Sequence, residues 1–445
     1  MGLGTDELLA AYDAEVRAAV PRRPAVGAVV VQEGPVVRTH FGSHGTVEHR
    51  DMLDVDVAEV VARQQAAFAE RGEPAEWRVY AHDRTPGLVE ALVAAGFRSG
   101  ESRAVLVVEV EDLPVQGALG NGQKLRQMDP REHRCAEQVW KRVSEAGPFG
   151  RDLAELEADG RLQYWEYEVL MVEHDARVVD VAWIENLPDA RFALIGGFTG
   201  RPDVLIPALA GWERLFGLPP WEGWRQRRGD GCLLIEVDDE QWKVLLGLGF
   251  REITQVVTFR WAPEGAVVTS RPVRLLFDDF DHHVVWDRFT LALGFSPSAR
   301  AFPGIAEPVG SATWDLAAVA GVEGEGGRER LEAIVERGLR SSVRGDEPLY
   351  WLDWNHAGCR FDPQRVGGPG QPPWPGSAYP DGDYYIHTTS DVRLGTFGHP
   401  FEQSLCVFGV ELLAQVEEEL TALLGRVLRR DGLNQGNTLT LGSAG

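Results

Sequence analysis

The segments Leu88-Val-Glu-Ala-Leu-Val-Ala-Ala-Gly-Phe97 and Glu240-Gln-Trp-Lys-Val-Leu-Leu-Gly-Leu-Gly-Phe250 end alike: a short apolar helix pattern is stopped by Gly-Phe. A glycine just past a helix supplies the left-handed conformation that ends it, and an apolar residue behind it pins the turn. Strand patterns frame both segments. Glu76–His82 (EWRVYAH) precedes the first and Ala104–Val110 follows it, while Cys232–Val237 (CLLIEV) precedes the second and Ile253–Trp261 follows it. The shared order of strand, helix, Gly-Phe and strand spans roughly 30 residues and reads as a repeat. We read 1–112 and 123–262 as two copies of one α/β unit.

Working outward, the second copy is the fuller. Arg131–Ser144 and Arg151–Ala158 are amphipathic helix candidates. Glu168–Glu173 and Val178–Ile184 are strands joined by a His174-Asp-Ala-Arg177 hairpin turn. Arg191–Phe198 is a third strand that leads through Thr199–Leu205 into a helix from Ile206 to Phe216, where Pro207 suits the first turn. The stretches 113–122 and 262–272 read as linkers, and 431–445 as a frayed polar tail. Between them, 273–430 reads as a separate α+β domain.

Composition bounds the function. The 445 residues carry 44 basic and 68 acidic side chains, a net charge of −24, which disfavours nucleic acid and anionic membranes as partners. The four cysteines, Cys135, Cys232, Cys359 and Cys406, show no CxxC spacing, so buried free thiols are expected rather than a zinc site. No apolar run reaches the length of a membrane helix and the start at Met1 lacks a secretory pattern, so we expect a soluble cytoplasmic protein.

The order of elements around the two Gly-Phe closures resembles a tandem duplication of the GNAT superfamily of N-acetyltransferases, over roughly residues 1–262. The resemblance implies mixed sheets with flanking helices that take acetyl-CoA between splayed central strands, with the pyrophosphate at a helix N-terminus. The family's phosphate loop, Arg/Gln-x-x-Gly-x-Gly/Ala, falls on Arg201-Pro-Asp-Val-Leu-Ile206. Arg201 fits, but Val204 and Ile206 occupy the glycine positions, Pro202 removes a donor and Asp203 adds negative charge. The frequent general-acid Tyr of the family is Leu245 here, and the first copy shows no phosphate loop. Two readings stand side by side. In one, the second copy holds acetyl-CoA around Phe198, Thr199 and Arg201, a base comes from Glu185, Glu236 or Asp238, and a small amine is acetylated. In the other, the pair is a non-catalytic scaffold and the last domain binds a small ligand or a protein, as an immunity-like module would.

The carboxy-terminal region has the densest motifs, among them Leu349-Tyr-Trp-Leu-Asp-Trp-Asn-His356, Tyr379-Pro-Asp-Gly-Asp-Tyr-Tyr-Ile-His387 and Gly395-Thr-Phe-Gly-His-Pro-Phe-Glu402. They resemble an uncharacterised bacterial family known only as a domain of unknown function, over nearly all of 280–415. We expect strands at Trp351–Asn355, Tyr384–Thr388 and Ser404–Phe408. The Pro/Gly-rich loop 364–376 lies between the first two, Gly398-His-Pro-Phe401 forms a turn, and an amphipathic helix runs from Val410 to Arg430. His282 and His283, beside Asp278, Asp279 and Asp281, read as linker surface. Asp353, His356, Asp381, Asp383, His387, His399 and Glu402 are gathered here as one candidate edge. Asp and His near strand ends fit a metal or acid–base role, against a plain reading in which the Asp residues cap a turn and the His residues bond to backbone; no metal is assigned. Trp351, Trp354, Trp374, Tyr379, Tyr384 and Tyr385 are read first as core and second as a pocket lining.

Overall fold

The computed structural model describes residues 3–17, 20, 24, 26–113, 119–127, 167–187, 190–196, 202–203, 205–207, 231–237, 239–266, 270–276, 280–320 and 325–435. The chain divides into two compact units, Met1–Arg271 and Pro272–Gly445. Among the described residues no helix is long and apolar enough to cross a membrane.

The first unit is built on one eleven-stranded mixed sheet. Its strands in chain order are β1 (Val29–Glu33), β2 (Val36–His40), β3 (Gly45–His49), β4 (Ala75–Tyr80), β5 (Arg98–Glu109), β6 (Gln123–Gln127), β7 (Tyr167–His174), β8 (Arg177–Asn186), β9 (Phe192–Gly196), β10 (Cys232–Val237) and β11 (Arg251–Trp261). Across the sheet the order is β1-β2-β3-β4-β11-β5-β10-β9-β8-β7-β6. The two copies are therefore not separate sheets. The last strand of each copy crosses over: β11 lies between β4 and β5, and β5 pairs with β10 along Cys232–Val237. Such strand exchange leaves no trace in local sequence pattern, since it pairs segments far apart in the chain.

The repeat itself is visible in hydrogen bonds. Phe97 N–H donates to the Leu92 carbonyl and Gly96 N–H to Val93, and Phe250 donates to Leu245 and Gly249 to Leu246. Gly96 and Gly249 have φ of 86° and 96°. On one face of the sheet Phe97 packs with Trp77, Leu88, Leu92 and Phe259, and Phe250 with Ile235, Leu233 and Leu245. On the opposite face, Leu8 and Tyr12 of the helix Thr5–Glu15 lie on Val105, Val107, Leu234 and Val256. The helix candidates 131–144 and 151–158 lie outside the described residues, as do 208–216; Leu205–Pro207 are helical.

The second unit is a nine-stranded antiparallel sheet. It comprises β12 (Val273–Leu276), β13 (Ser311–Asp315), β14 (Leu349–Asp353), β15 (Gly358–Phe361), β16 (Tyr385–Thr389), β17 (Gly395–His399), β18 (Ser404–Phe408), β19 (Val427–Arg430) and β20 (Leu433–Asn434). The order is β12-β15-β14-β16-β17-β18-β13-β19-β20. The helix Phe280–Leu293 packs Val285, Phe289 and Leu293 against Leu352, Ile386, Phe397 and Phe408. The helices Glu325–Ser342 and Val410–Leu424 meet so closely that a Cβ on Gly338 would stand 2.2 Å from Val416. Three expectations are corrected. The last helix ends at Leu424, where Gly425 takes φ 76°, and Val427–Arg430 turn back as β19. Gly398 and His399 belong to β17. His282 is helical, its ring accepting from Trp286 Nε1 at 3.0 Å.

Candidate functional site

Two places in the first sheet pair strands in parallel, and both pairings are short. β3 and β4 are in register only over Gly45–Val47 with Ala75–Trp77, and β9 and β10 only over Phe192–Leu194 with Cys232–Leu234. Each pair therefore parts before its strands end, leaving a wedge of backbone without a ladder partner. Such backbone can accept an extended chain as an added strand would.

The first wedge is filled by its own side chains. Asp83 accepts from the Tyr80 N–H at 2.8 Å, and Arg17 Nη2 donates to the His49 carbonyl at 2.8 Å, so two of the backbone groups at the opening are already used. Arg17 is ion-paired with Asp83, and both side chains are only 5% exposed. The guanidinium also stacks 4.1 Å over the Tyr80 ring. His49 Nε2 lies 3.1 Å from Asp83, and its Nδ1 accepts from Trp77 Nε1 at 3.2 Å. Burial pushes the Asp83 carboxyl up, yet the His49 hydrogen bond, the Tyr80 N–H and the Arg17 charge outweigh it and hold the group below the usual range.

A second polar group adjoins this one on the face carrying the helix Thr5–Glu15. Glu48 lies 3.2 Å from Arg78 Nε, and Arg78 also pairs with Glu236 of β10. Tyr80 hydroxyl donates to Glu48 Oε1 and accepts from Tyr12, both at 3.3 Å. Glu48 Oε2 is buried and takes no hydrogen bond, and burial is the main reason that its carboxyl is pushed up. Counting Glu48, Glu236 and Arg78, the local charge is net negative. Glu236 is thus an ion-pair partner reaching toward the first copy, with Arg103 donating to its carbonyl at 2.9 Å. Sequence reading missed Tyr12, Arg17, Glu48, His49, Arg78, Tyr80 and Asp83. They are spread over some seventy residues, and the alternation of β4 reads Arg78 and Tyr80 as a wet face; only the packing of the first helix covers them.

Of the other residues named for the second copy, Phe198, Thr199, Arg201, Val204 and Asp238 lie outside the described residues, as does the side chain of Glu185, which stands on β8 opposite Tyr167. Leu205 and Ile206 are fully buried in the same apolar cluster as Ile195, Ile235 and Val237. In the first copy, the matching helix Val57–Arg71 begins with Asp56, whose carboxylate already accepts from the Glu59 N–H.

In the second unit the seven gathered residues do not share one edge. Asp353, His356 and Asp383 come together, each offering a donor atom within 4.8 Å of the others. Asp381 is turned to the Tyr385 hydroxyl at 2.6 Å. His387 is fully buried beside Trp374 Nε1 at 3.3 Å, and burial lowers it to about 4. His399 and Glu402 form another group: His399 Nδ1 accepts from the Glu402 N–H at 3.1 Å, and Arg429 grips Glu402 with two bonds of 2.6 and 2.7 Å. Burial pushes Glu402 up, but Arg429 and Ser404 more than reverse it. The split has a simple cause. Residues alternate sides along a strand, and His387 faces Trp374 while Asp353 and Asp383 stand at a strand end. Of the six aromatic residues, Trp374, Tyr379 and Tyr384 are buried in the core, whereas Trp354 is 43% exposed.

Residues 276–413 match the family described as "Protein of unknown function (DUF2716)". A 90-residue stretch is 30% identical to the Uncharacterized protein YxiI of Bacillus subtilis (strain 168), covering 20% of this chain and 56% of that protein, so the chain spans little more than half of its relative. Among solved structures, a GCN5-related N-acetyltransferase from Kribbella flavida superposes with a TM-score of 0.40 at 16% identity, over 58% of this chain and 96% of that one. A tandem GNAT protein from the clavulanic acid biosynthesis pathway gives a TM-score of 0.38 at 14% identity, over 58% and 93%. The first unit thus carries two short parallel pairs that part, each followed by a Gly-Phe-closed helix, and it is joined to a unit that matches an uncharacterised family.

Proposed function

We propose that the first unit is an acetyl-CoA-dependent N-acetyltransferase acting on a small amine, with the cofactor in the β9–β10 wedge and the amine over Glu48, Tyr80 and Glu236. The observation that carries this is Glu48: a half-buried carboxyl, raised by burial, with one oxygen unpartnered in a cluster with Arg78 and Glu236. A base poised upward in that way suits removal of a proton from an ammonium group. Glu236 and Arg78 orient the acceptor, and Tyr12 and Tyr80 flank it. Acetyl-CoA supplies the activated acetyl group. The first wedge is closed by Arg17 and Asp83, which leaves β9–β10 for the pantetheine arm, beside the expected Phe198, Thr199 and Arg201. Cys232, Cys359 and Cys406 are free and buried, and burial pushes them up to about 11, 12 and 12. Such inert thiols suit the reducing cytoplasm that belongs to this reading.

A second reading is favoured by charge. Asp56 caps one wedge-side helix and Asp203 lies in the opening of the other, where a diphosphate would sit. On that reading the pair is a non-catalytic scaffold, and the second unit holds a ligand or a protein. Calorimetry with acetyl-CoA, followed by acetylation assays on a panel of small amines, separates the two. The transferase reading expects binding heat, and Glu48→Gln should then lower turnover about 100-fold or more with cofactor affinity unchanged. Absence of heat at millimolar cofactor removes the transferase and leaves the scaffold.

A further inference from the structure

We propose that Asp353, His356 and Asp383 in the second unit form a binding site for one borderline divalent cation of the Mn²⁺ or Zn²⁺ kind. β14 ends at Asp353, the turn after it carries Asn355 and His356, and Asp383 lies two residues ahead of β16, so strand pairing of Asp353 with Tyr385 brings all three together. The site is independent of the acetyltransfer reading, which concerns the other unit.

Four features point the same way. First, both carboxylates are buried, Asp353 being 5% and Asp383 7% exposed, and neither is ion-paired with an Arg or Lys among the described residues. Two buried carboxylates facing one imidazole leave negative charge that a cation would neutralise. Second, the Asp353 oxygen Oδ1 takes the Asn355 N–H at 3.2 Å and the His356 ring at 3.0 Å, while Oδ2 accepts from no described residue. Third, the carboxylates are held from behind, as metal ligands usually are: Asp383 receives Asn355 Nδ2 at 2.6 Å and the Tyr384 N–H at 2.7 Å. Fourth, His356 has a 72% exposed side chain, so a ligand from solvent can reach it.

The spacing decides whether an ion fits. Donors about 2.1 Å from a common centre lie at most about 4.2 Å apart. His356 Nδ1 stands 3.0 Å from Asp353 and 4.0 Å from Asp383 and the three donors lie within 4.8 Å, so the two carboxylates need approach one another by less than about an ångström to close the site. Two carboxylate oxygens and one imidazole nitrogen are a donor set for Mn²⁺, Fe²⁺ or Zn²⁺ rather than for Ca²⁺. Three protein ligands leave positions open to water or to a ligand carrying its own oxygen donors.

The test uses the full chain, stripped with a chelator and titrated with Mn²⁺ while the paramagnetic resonance of free Mn²⁺ is followed, with Zn²⁺ as competitor. One Mn²⁺ per chain should bind, Zn²⁺ should displace it, and Asp353→Asn and His356→Ala should each weaken binding at least tenfold. His356 is exposed, so His356→Ala keeps the fold even where Asp353→Asn does not, and its thermal transition checks this. Failure of Mn²⁺ and Zn²⁺ to bind at millimolar concentration overturns the assignment, and so does binding that His356→Ala leaves unchanged.

Discussion

Asp83→Asn offers the sharpest probe of the first wedge. Asp83 is the anion facing Arg17, whose side chain is 5% exposed, and it also accepts from His49 and from the Tyr80 N–H. An amide keeps the shape but removes the charge, leaving the buried guanidinium with only the more exposed Asp13, at 3.4 Å, as a paired carboxylate. Breaking a buried pair from one side costs about 3–5 kcal/mol. For a unit of this size each kcal/mol moves the midpoint by roughly 2–4 °C, so the shift is on the order of 10 °C. Scanning calorimetry of the full chain reads it, and the transition of the second unit should stay in place as an internal control. The double variant Arg17→Met/Asp83→Leu replaces the pair with apolar groups and should recover most of the loss, because desolvation and attraction nearly cancel in the intact pair. The sign with pH follows from the depressed carboxyl. Its contribution is complete above the unfolded carboxyl pKa and is lost as pH falls through the lower folded value. A midpoint that moves by less than about 2 °C in Asp83→Asn, or a double variant no more stable than the single one, refutes the view that this ion pair seals the wedge.

Other outcomes follow from the second unit. His387, lowered to about 4 by burial, is neutral in the fold, so stability is full above the unfolded histidine pKa and declines as pH falls toward 4. Thermal unfolding between pH 7 and 4 should show this slope, and His387→Gln should flatten it; an equally steep slope in the variant would assign it elsewhere. Gly376 has φ 76°, and a Cβ there would stand 2.2 Å from the Trp351 ring, which is pinned by a 3.0 Å bond from Nε1 to the Ser377 carbonyl. Gly376→Ala should therefore destabilise this unit by about 2–4 kcal/mol, combining overpacking with a left-handed alanine; an unchanged calorimetric midpoint would show that Trp351 yields freely.

The amino-acid sequence by itself determined the repeat. Gly96-Phe97 and Gly249-Phe250 announce their helix ends because a positive φ and an apolar follower are local requirements, and the structure repeats their hydrogen bonds in both copies. It also placed Asp353, His356 and Asp383 near strand ends, since turn chemistry and strand pattern are read over a few residues. Tertiary structure alone decided the rest. The exchange of β5 and β11 depends on pairing between segments that stand far apart in the chain, Cys232 with Glu109 and Arg251 with Val107. The network of Arg17, Glu48, His49, Arg78, Tyr80, Asp83 and Glu236 depends on a helix laid over a strand face that alternation marks as wet. The same holds for the separation of His387 and His399 from Asp353. Which side of a strand is covered, and by what, is a property of packing between distant segments, and no short window of sequence contains it.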